Sequence, residues 1–430
     1  MNRRSWLQSL ALDGTPSIDE CIDQLGDTFP LLHQFKATEQ DPQWHAEGDV
    51  HIHTGMVLTE LYQLLESEAC HIQGEKRQAL VLGALLHDIA KPLTTRRREV
   101  KGIERVIATG HEAMGRSYIA HRILNLELPN EVVDLVMGLV GEHHRPKLLV
   151  IKQMERGEYW KLARKASPEL LYWLEIADMR GRICEDLNVQ IDLLEQFRLF
   201  SEEYEVWNSH LPLEQLRCDL ESHVENLQPS VRDMIFARIM RDFEEGDIST
   251  LEEGIARTYS LRSGFSEVYI LYGPSGSGKS SWIKRFLPDC EVISLDELRE
   301  EINSDRSDQS NLSQILNTAR ERLKVCLRAK KKVIWDATNL REDFRQRICR
   351  VAFDYHAFVT MVVIHKSELQ LFADNKNRPH PVPEEILRKQ LDQLEWPVPE
   401  EAHRYWIVDG EGQVRKLSGG FCEDRHDGVH

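Results

Sequence analysis

The 430-residue sequence predicts two domains, an all-α N-terminal fold followed by an α/β fold with a parallel sheet. Three observations carry that expectation. From residue 45 to about 200 the apolar residues recur at helical spacing, as in LTELYQLLE, KRQALVLGALLHDIAKP and PNEVVDLVMGLVGEHH, and almost nothing reads as strand. From Val268 onward short β-branched or aromatic runs (VYILYG, EVISL, KVIWDAT, FVTMVVIH) alternate with helical segments, the pattern of a parallel sheet covered by helices. Between the first of those runs and the helical SWIKRF lies GPSGSGKS, residues 273–280.

The length exceeds what one core usually supports and is ample for two. A formal net charge of −17 argues against indiscriminate binding to nucleic acid or to an anionic membrane, so any polyanion must be held by local basic clusters. The eight cysteines, at 21, 70, 184, 218, 290, 326, 349 and 422, lie far apart with no C-x-x-C pair, which fits reduced thiols better than disulfides or a thiolate zinc site. No segment has the apolar length of a transmembrane helix, and residues 1–12 lack the continuous apolar run of a signal peptide, so a cytoplasmic protein with no membrane partner is expected.

In chain order, residues 1–44 carry small apolar clusters (Trp6, Leu7, Leu10; Phe29, Leu31, Leu32) among turn formers and read as a cap on the helical domain. That domain is placed at 45–205, a helical linker at 206–262, the α/β domain at 263–412 and a polar tail at 413–430. Within the helical domain His87 and Asp88 end the apolar run ALVLGALLHDIAKP, where Pro92 helps to terminate a helix. Burying such a pair without partners would cost several kcal/mol. Upstream is His53 in DVHIHT; downstream are His111 in TGHEAMG, His143 and His144 in GEHHRP, and Asp178 in LEIADMRGR. Each falls at or near a helix end, so a helical domain could converge them on one pocket. Imidazole plus carboxylate suits a divalent transition-type metal such as Mn²⁺, Ni²⁺, Co²⁺, Cu²⁺ or Zn²⁺, which would lower the pKa of water and polarise a phosphoryl oxygen. A lone helical histidine is more often structural than ligating; the ordered set points the other way. Lys91 is placed either to meet a phosphate oxygen or simply as a helix-end lysine, and His51 and His71 read as surface residues.

The order H…HD…H…HH…D across successive helices resembles the HD phosphohydrolase superfamily over residues 45 to about 200, and GHE, the spacing to HH and ADMRGR are similar to the HD domains attached to bacterial tRNA nucleotidyltransferases. That resemblance implies that His53, His87, Asp88 and Asp178 hold a principal metal. It also implies that His111 and His143 or His144 either ligate a second ion or touch the phosphate.

In the α/β domain, Gly273, Pro274, Ser275, Gly276, Ser277, Gly278, Lys279, Ser280 and Ser281 form a loop whose N–H groups can turn inward on a phosphate chain. Lys279 supplies a cation for the β- and γ-phosphates and Ser280 a hydroxyl for Mg²⁺, so ATP with Mg²⁺ is the expected occupant. The run EVISL delivers Asp296 to the carboxyl edge of the sheet, where ligands of open α/β sheets gather, and Arg299 follows one helical turn later. A carboxylate there can accept the proton of an attacking hydroxyl while the arginine holds a neighbouring phosphate; the alternative is a helix N-cap with an i,i+3 ion pair. Asp336 ends a second strand, where it can assist Mg²⁺ through water, with Thr338 and Asn339 just beyond. Arg378 lies in the polar, lid-like DNKNRPHPVPEEIL and can neutralise charge on a transferring phosphoryl group. From Arg322 to Arg350 there are ten Lys or Arg against three Asp or Glu, half of them expected on a solvated helix face and some along a nucleic-acid backbone.

Together G-x-x-x-x-G-K-S, D-x-x-R, WDATN and NRPHPVP resemble the polynucleotide 5′-kinase family over about residues 264 to 410. The resemblance implies Lys279 and Ser280 in the P-loop roles, Asp296 as general base, Arg299 on the acceptor's phosphate and Arg378 in the lid. The family lid often reads N-R-x-R-x-V-P; here the second arginine is His380, which leaves Arg378, helped by Lys376, as the main lid cation. Joined in this order, the two domains resemble the bacterial HD-type polynucleotide kinases. That implies a bifunctional enzyme that phosphorylates 5′-OH ends of RNA or DNA and clears 2′,3′-cyclic, 2′- or 3′-phosphate ends ahead of a ligase. Two rivals stand beside it: a small-molecule nucleoside or nucleotide kinase fused to a nucleotide phosphohydrolase, and an ATP-switched nucleic-acid-binding module with an inactive HD domain.

Overall fold

The computed structural model describes residues 2–208, 211–303, 311–378 and 381–421. The chain divides into two compact units, Met1–Pro212 and Leu213–His430.

The first unit is helical. Its central helix, Gly74–Leu86, is buried on every side from Arg77 onward, which is why its sequence is apolar all round rather than striped. Asn130–Glu142 packs directly on it, and Gly83 permits the approach: a Cβ there would stand 2.7 Å from Leu139 Cδ1. Val50–Glu66 and Pro168–Arg180 pack on one another and on the same central helix, while His111–Ala120 lies against Asn130–Glu142. Residues of the N-terminal segment are bonded onto this frame, since the carbonyls of Leu7 and Leu10 accept hydrogen bonds from Gln78 (2.6 Å) and Arg77.

One feature departs from the sequence expectation of an almost strandless region. Arg96–Val100 (β1) and Ile103–Ile107 (β2) form an antiparallel hairpin, closed by Lys101 and Gly102 at φ 53° and 80°, the left-handed pair of a two-residue turn. Both strands are largely exposed and rich in Arg and Glu, so they lack the apolar alternation by which a strand is recognised.

The second unit holds a six-stranded sheet made of Glu267–Tyr272 (β3), Glu291–Ser294 (β4), Lys332–Asp336 (β5), Phe358–Ile364 (β6), Arg404–Val408 (β7) and Val414–Ser418 (β8). Its order is β4-β5-β3-β6-β7-β8, parallel except for the antiparallel β7–β8 pair. β3 and β6 are buried along their whole length, as predominantly apolar runs rich in Val, Ile and aromatics require of strands covered on both faces. The register brings Ser294 level with Asp336, so the carboxyl ends of β4 and β5 open side by side next to the loop that leaves β3. This is a P-loop kinase fold.

Two parts of the sequence-based partition differ from what is found. Helices Leu211–Val224, Pro229–Glu244 and Leu251–Thr258, expected as a linker, build an apolar cluster from Leu216, Leu220, Ile235, Phe236 and Ile239, joined by Phe421 near the far end of the chain. Asp233 fastens the arrangement by accepting from Arg404 at 2.8 Å and from the Phe421 amide at 2.9 Å. The segment expected as a polar tail includes β8, whose backbone pairs with β7 from Tyr405↔Ser418 to Val408↔Val414. Among the described residues no helix is long and apolar enough to cross a membrane.

Candidate active sites

The first site is a knot of buried imidazoles and carboxylates where helix ends of the first unit meet. His53 stands in the first turn of Val50–Glu66, His87 closes Gly74–Leu86, His111 opens His111–Ala120, His143 closes Asn130–Glu142, and Asp178 lies in the last turn of Pro168–Arg180. All five are buried, with Asp88. Three rings share one device: Nδ1–H of His87, His111 and His143 donates to the carbonyl three residues back (Ala84, Ala108 and Val140; 2.8, 2.7 and 3.0 Å), which fixes the tautomer and leaves the Nε2 lone pair free. His53 Nδ1 has the Glu47 carboxylate as its neighbour instead, with Oε1 at 3.0 Å but without hydrogen-bond geometry.

Those Nε2 atoms converge. His53 Nε2 is 3.0 Å from Asp178 Oδ1, His87 Nε2 is 3.2 Å from Asp88 Oδ2, and His111 Nε2 is 3.1 Å from Asp88 Oδ1. His111 and His143 also bring their Nε2 atoms within 3.2 Å of each other, two acceptors face to face once both Nδ1 protons are committed. His53 Nε2, His87 Nε2 and both Asp88 oxygens are buried and make no hydrogen bond of good geometry. Orphaned lone pairs aimed at one another fit a cation. Among the described residues four sets of three have donor atoms within 4.8 Å of each other, and two of them are made of residues the sequence singled out: His53 with His87 and Asp178, and His111 with His143 and His144. The site therefore fits a divalent metal.

The electrostatics agree with that fit. Burial would raise the Asp88 carboxyl, yet His87, Lys91 and the His111 contact outweigh it and hold Asp88 well below the ordinary carboxylate range. Asp178 is likewise held down against its burial, chiefly by Arg182, with which it is paired. Burial pushes His143 and His144 well below the usual imidazole value, which keeps them neutral and able to ligate. Lys91, left open between two readings, is buried and bound to Asp88 Oδ2 at 2.7 Å and Gln40 Oε1 at 2.6 Å. His51 pairs with Asp19 and the exposed His71 with Glu169, both outside the cluster.

Sequence reading missed several members. Glu47 orients His53 and also takes His45 at 2.8 Å; burial works against its ionisation, but these two imidazole contacts hold its carboxyl well below the normal range. Glu175, one turn before Asp178, groups with His144 and Asp178 and pairs with Lys147 at 2.9 Å. The spacing of Glu175, Asp178 and Arg182 in LEIADMRGR was a usable signal, because i,i+3 and i,i+4 positions share a helix face. Glu47 gave none: it sits in a loop turned by Gly48 at φ 123°.

The second site is the loop after β3. Gly276 and Gly278 adopt φ 84° and 99°, and a Cβ on Gly273 would stand 2.6 Å from Ser277 Oγ, so all three glycines are needed for the curl. Lys279 opens the helix Lys279–Phe286 and folds back to donate to the carbonyls of Gly273 (2.8 Å) and Pro274 (2.9 Å). Burial lowers its pKa to about 8, against the pull of Asp336 and Asp296 and with a push from Arg378. Burial raises the Asp336 carboxyl against the pull of Lys279, and the neighbouring Ser280 hydroxyl favours its ionised form. Ser280 and Asp336 thus form the hydroxyl–carboxylate pair that a Mg²⁺ site of this type uses.

Asp296 sits in the first turn of Leu295–Asn303 and is paired with Arg299, three residues on. The cap is Ser294, whose Oγ accepts from Glu297 N at 3.4 Å, so Asp296 is not spent as an N-cap and its side chain is 70% exposed to the cleft. Arg378 approaches the loop from the other side: its Nη1 would be 3.8 Å from a Cβ on Gly276. Asn375 clasps the segment by exchanging two hydrogen bonds with the Val382 backbone (2.7 and 3.0 Å), and Gln390 does the same with Ser275 (2.8 and 3.0 Å). His380 lies outside the described residues. Asn339, at φ 49°, ties the end of β5 to β3 through Leu271 O at 2.6 Å.

The basic stretch from 322 to 350 divides. Arg345 is fully buried, held by Glu401 at 2.7 and 2.8 Å and by the carbonyls of Asn339 and Glu395, so it is structural rather than a nucleic-acid contact. Arg341 and Arg347, by contrast, line the cleft with the P-loop, Asp296 and Arg299.

Fold and site together define a chain that joins an HD domain to a P-loop kinase-like domain. Residues 50–178 match the family model described as HD domain, and residues 268–397 match one described as AAA domain. A multifunctional CCA protein of Shewanella frigidimarina is 28% identical over 161 residues, 36% of this chain and 34% of that protein. A second, from Shewanella denitrificans, is 26% identical over 189 residues, 41% of this chain and 40% of that protein. The chain thus spans well under half the length of these curated relatives. A gluconokinase from Sinorhizobium meliloti is 24% identical over 34% of this chain and 83% of its own, with a TM-score of 0.27.

Proposed function

We propose that this is a bifunctional nucleic-acid end-healing enzyme. Its P-loop domain transfers the γ-phosphoryl of ATP to a 5′-OH polynucleotide end, and its HD domain hydrolyses 2′,3′-cyclic, 2′- or 3′-phosphate ends. Lys279 and Ser280 bind the triphosphate and Mg²⁺, Asp296 takes the proton of the attacking 5′-OH, Arg299 holds the acceptor's first phosphate, and Arg378 closes over the transferring group. His53, His87, Asp88 and Asp178 hold the HD metal.

The observation that carries the polynucleotide reading is the extent and lining of the kinase cleft. Its volume of about 1450 Å³ exceeds the range of roughly 300–1,000 Å³ usual for a small-molecule pocket. Its lining also includes Arg320, Arg341 and Arg347, the last two sharing Asp343 at 2.9 and 3.3 Å, so the guanidinium groups there outnumber their carboxylate partner and suit phosphates better than an uncharged nucleoside. The test is a competition between a 5′-OH hexanucleotide and the matching free nucleoside for limiting [γ-³²P]ATP. Preferential labelling of the oligonucleotide is expected; equal labelling would favour a nucleoside kinase.

A further inference from the structure

We infer that the β1–β2 hairpin is the grip that holds a nucleic-acid strand at the mouth of the HD site, with Arg96 and Arg98 bonding its phosphodiesters; this rests on the end-healing reading of that site. The hairpin springs from the metal-site residues at both ends. Three residues after Asp88, Lys91 begins the short helix Lys91–Thr94 that runs into β1, and one residue after β2 the carbonyl of Ala108 takes the Nδ1–H of His111. Its base is pinned: buried Asp41 accepts from the Val106 amide at 3.2 Å and from Arg105 at 3.1 Å, beside the Gln40 that binds Lys91. The hairpin therefore has a fixed origin at the pocket and an exposed body beyond it.

Its charge runs against the rest of the molecule. In a chain of net charge −17, residues 96–107 carry Arg96, Arg97, Arg98, Lys101 and Arg105 against Glu99 and Glu104. Arg97 and Arg105 are occupied, by Glu39 and Asp41. Arg96 and Arg98 are exposed, lie two apart and so on one face of β1, and have no hydrogen bond or ion pair among the described residues. Arg98 also stands directly across the ladder from Arg105, a like-charge pairing that disfavours the hairpin. Asp41 answers Arg105, and only an external anion answers Arg98. Two guanidinium groups on one face of a projecting ribbon suit the repeating phosphates of a single strand whose terminal phosphate has entered the pocket.

The test compares wild type, Arg96→Ala/Arg98→Ala and Arg96→Lys/Arg98→Lys as full-length proteins loaded with Mn²⁺. Each is assayed on a hexanucleotide ending in a 2′,3′-cyclic phosphate and on the free mononucleotide 2′,3′-cyclic phosphate, across a salt series. The alanine pair is expected to raise KM for the hexanucleotide about five- to twenty-fold with kcat unchanged, at the scale of two exposed charge contacts. Its log KM against log salt should flatten by about 1.4, two phosphates at roughly 0.7 each for a single strand. Mononucleotide hydrolysis and 5′-kinase activity should not change, and the lysine pair should stay close to wild type. An unchanged hexanucleotide KM and salt slope in the alanine pair overturns the grip, as does an equal loss on the mononucleotide. If wild type hydrolyses neither substrate, the reading of the HD site itself fails.

Discussion

Replacing Asp88 by Asn should separate the two activities, because this carboxylate lies among the HD ligands of the first unit. Its oxygens stand 3.2 Å from His87 Nε2, 3.1 Å from His111 Nε2, 3.7 Å from His53 Nε2 and 2.7 Å from Lys91 Nζ. Removing the charge deprives the metal of an anionic donor. Loss of an outer-sphere partner already costs about 10–100-fold in metal affinity or activity, so a direct ligand should cost at least about 100-fold in phosphoesterase turnover. Asn is the better probe than Ala. In Asp88→Ala, buried Lys91 keeps only Gln40, and breaking a buried pair this way costs on the order of 3–5 kcal/mol of stability. The amide oxygen of Asn leaves Lys91 a polar neighbour in the same place, so the melting temperature should fall less. One preparation of Asp88→Asn is assayed for release of phosphate from a 3′-phosphate oligonucleotide and for 5′-labelling of a 5′-OH oligonucleotide. The expected result is loss of the first and retention of the second within about two-fold, and parallel loss of both with an unchanged melt would refute the separation.

Lys279→Ala and Asp296→Ala should each lower 5′-kinase turnover by at least about 100-fold, the scale of one positioned acid–base group, without altering the circular dichroism spectrum; near-normal activity in Asp296→Ala removes it as the base. Because burial holds Lys279 at about 8, its ammonium is present below that pH and lost above it, so kcat/KM for ATP should decline as pH rises through about 8. A profile flat to about pH 9.5, well past that value, contradicts this. Chelation followed by Mg²⁺ alone should restore the kinase but not the phosphoesterase, whose imidazole-rich donors favour Mn²⁺, Ni²⁺, Co²⁺, Cu²⁺ or Zn²⁺; equal recovery of both in Mg²⁺ counts against the ligand assignment. Arg345→Ala strands the buried Glu401 and should cost roughly 3–5 kcal/mol in denaturant melts, whereas Arg347→Ala should leave stability almost unchanged.

Much of the fold and of both sites was legible in the sequence because the chemistry sits on regular elements. The strand, glycine loop and helix around Lys279 are local in the chain, so their order in sequence is their order in space. His53, His87, His111, His143 and Asp178 were readable as a set because each marks a helix end, and helix ends on one side of a bundle converge. What stayed hidden depends on long-range pairing. Glu47 enters the site by meeting His53 and His45, and Gln40 by meeting Lys91. The β1–β2 hairpin is exposed and charged, so hydrophobic periodicity could not announce it. Arg345 looked like its basic neighbours, and only the closeness of Glu401, 56 residues away, makes it structural. The helices from 211 to 258 read as a linker because their partner Phe421 lies at the opposite end of the second unit's sequence.

That one chain repairs both kinds of end is tested most directly by mass spectrometry of a short RNA bearing a 5′-OH and a 2′,3′-cyclic phosphate, after incubation with the full-length protein, ATP, Mg²⁺ and Mn²⁺. The expected product has gained a 5′-phosphate and lost the terminal phosphate to leave a 2′,3′-diol, with the 5′ change absent in Lys279→Ala and the 3′ change absent in Asp88→Asn. Recovery of the RNA unaltered at both ends, while a free nucleoside in the same tube is phosphorylated, would contradict it.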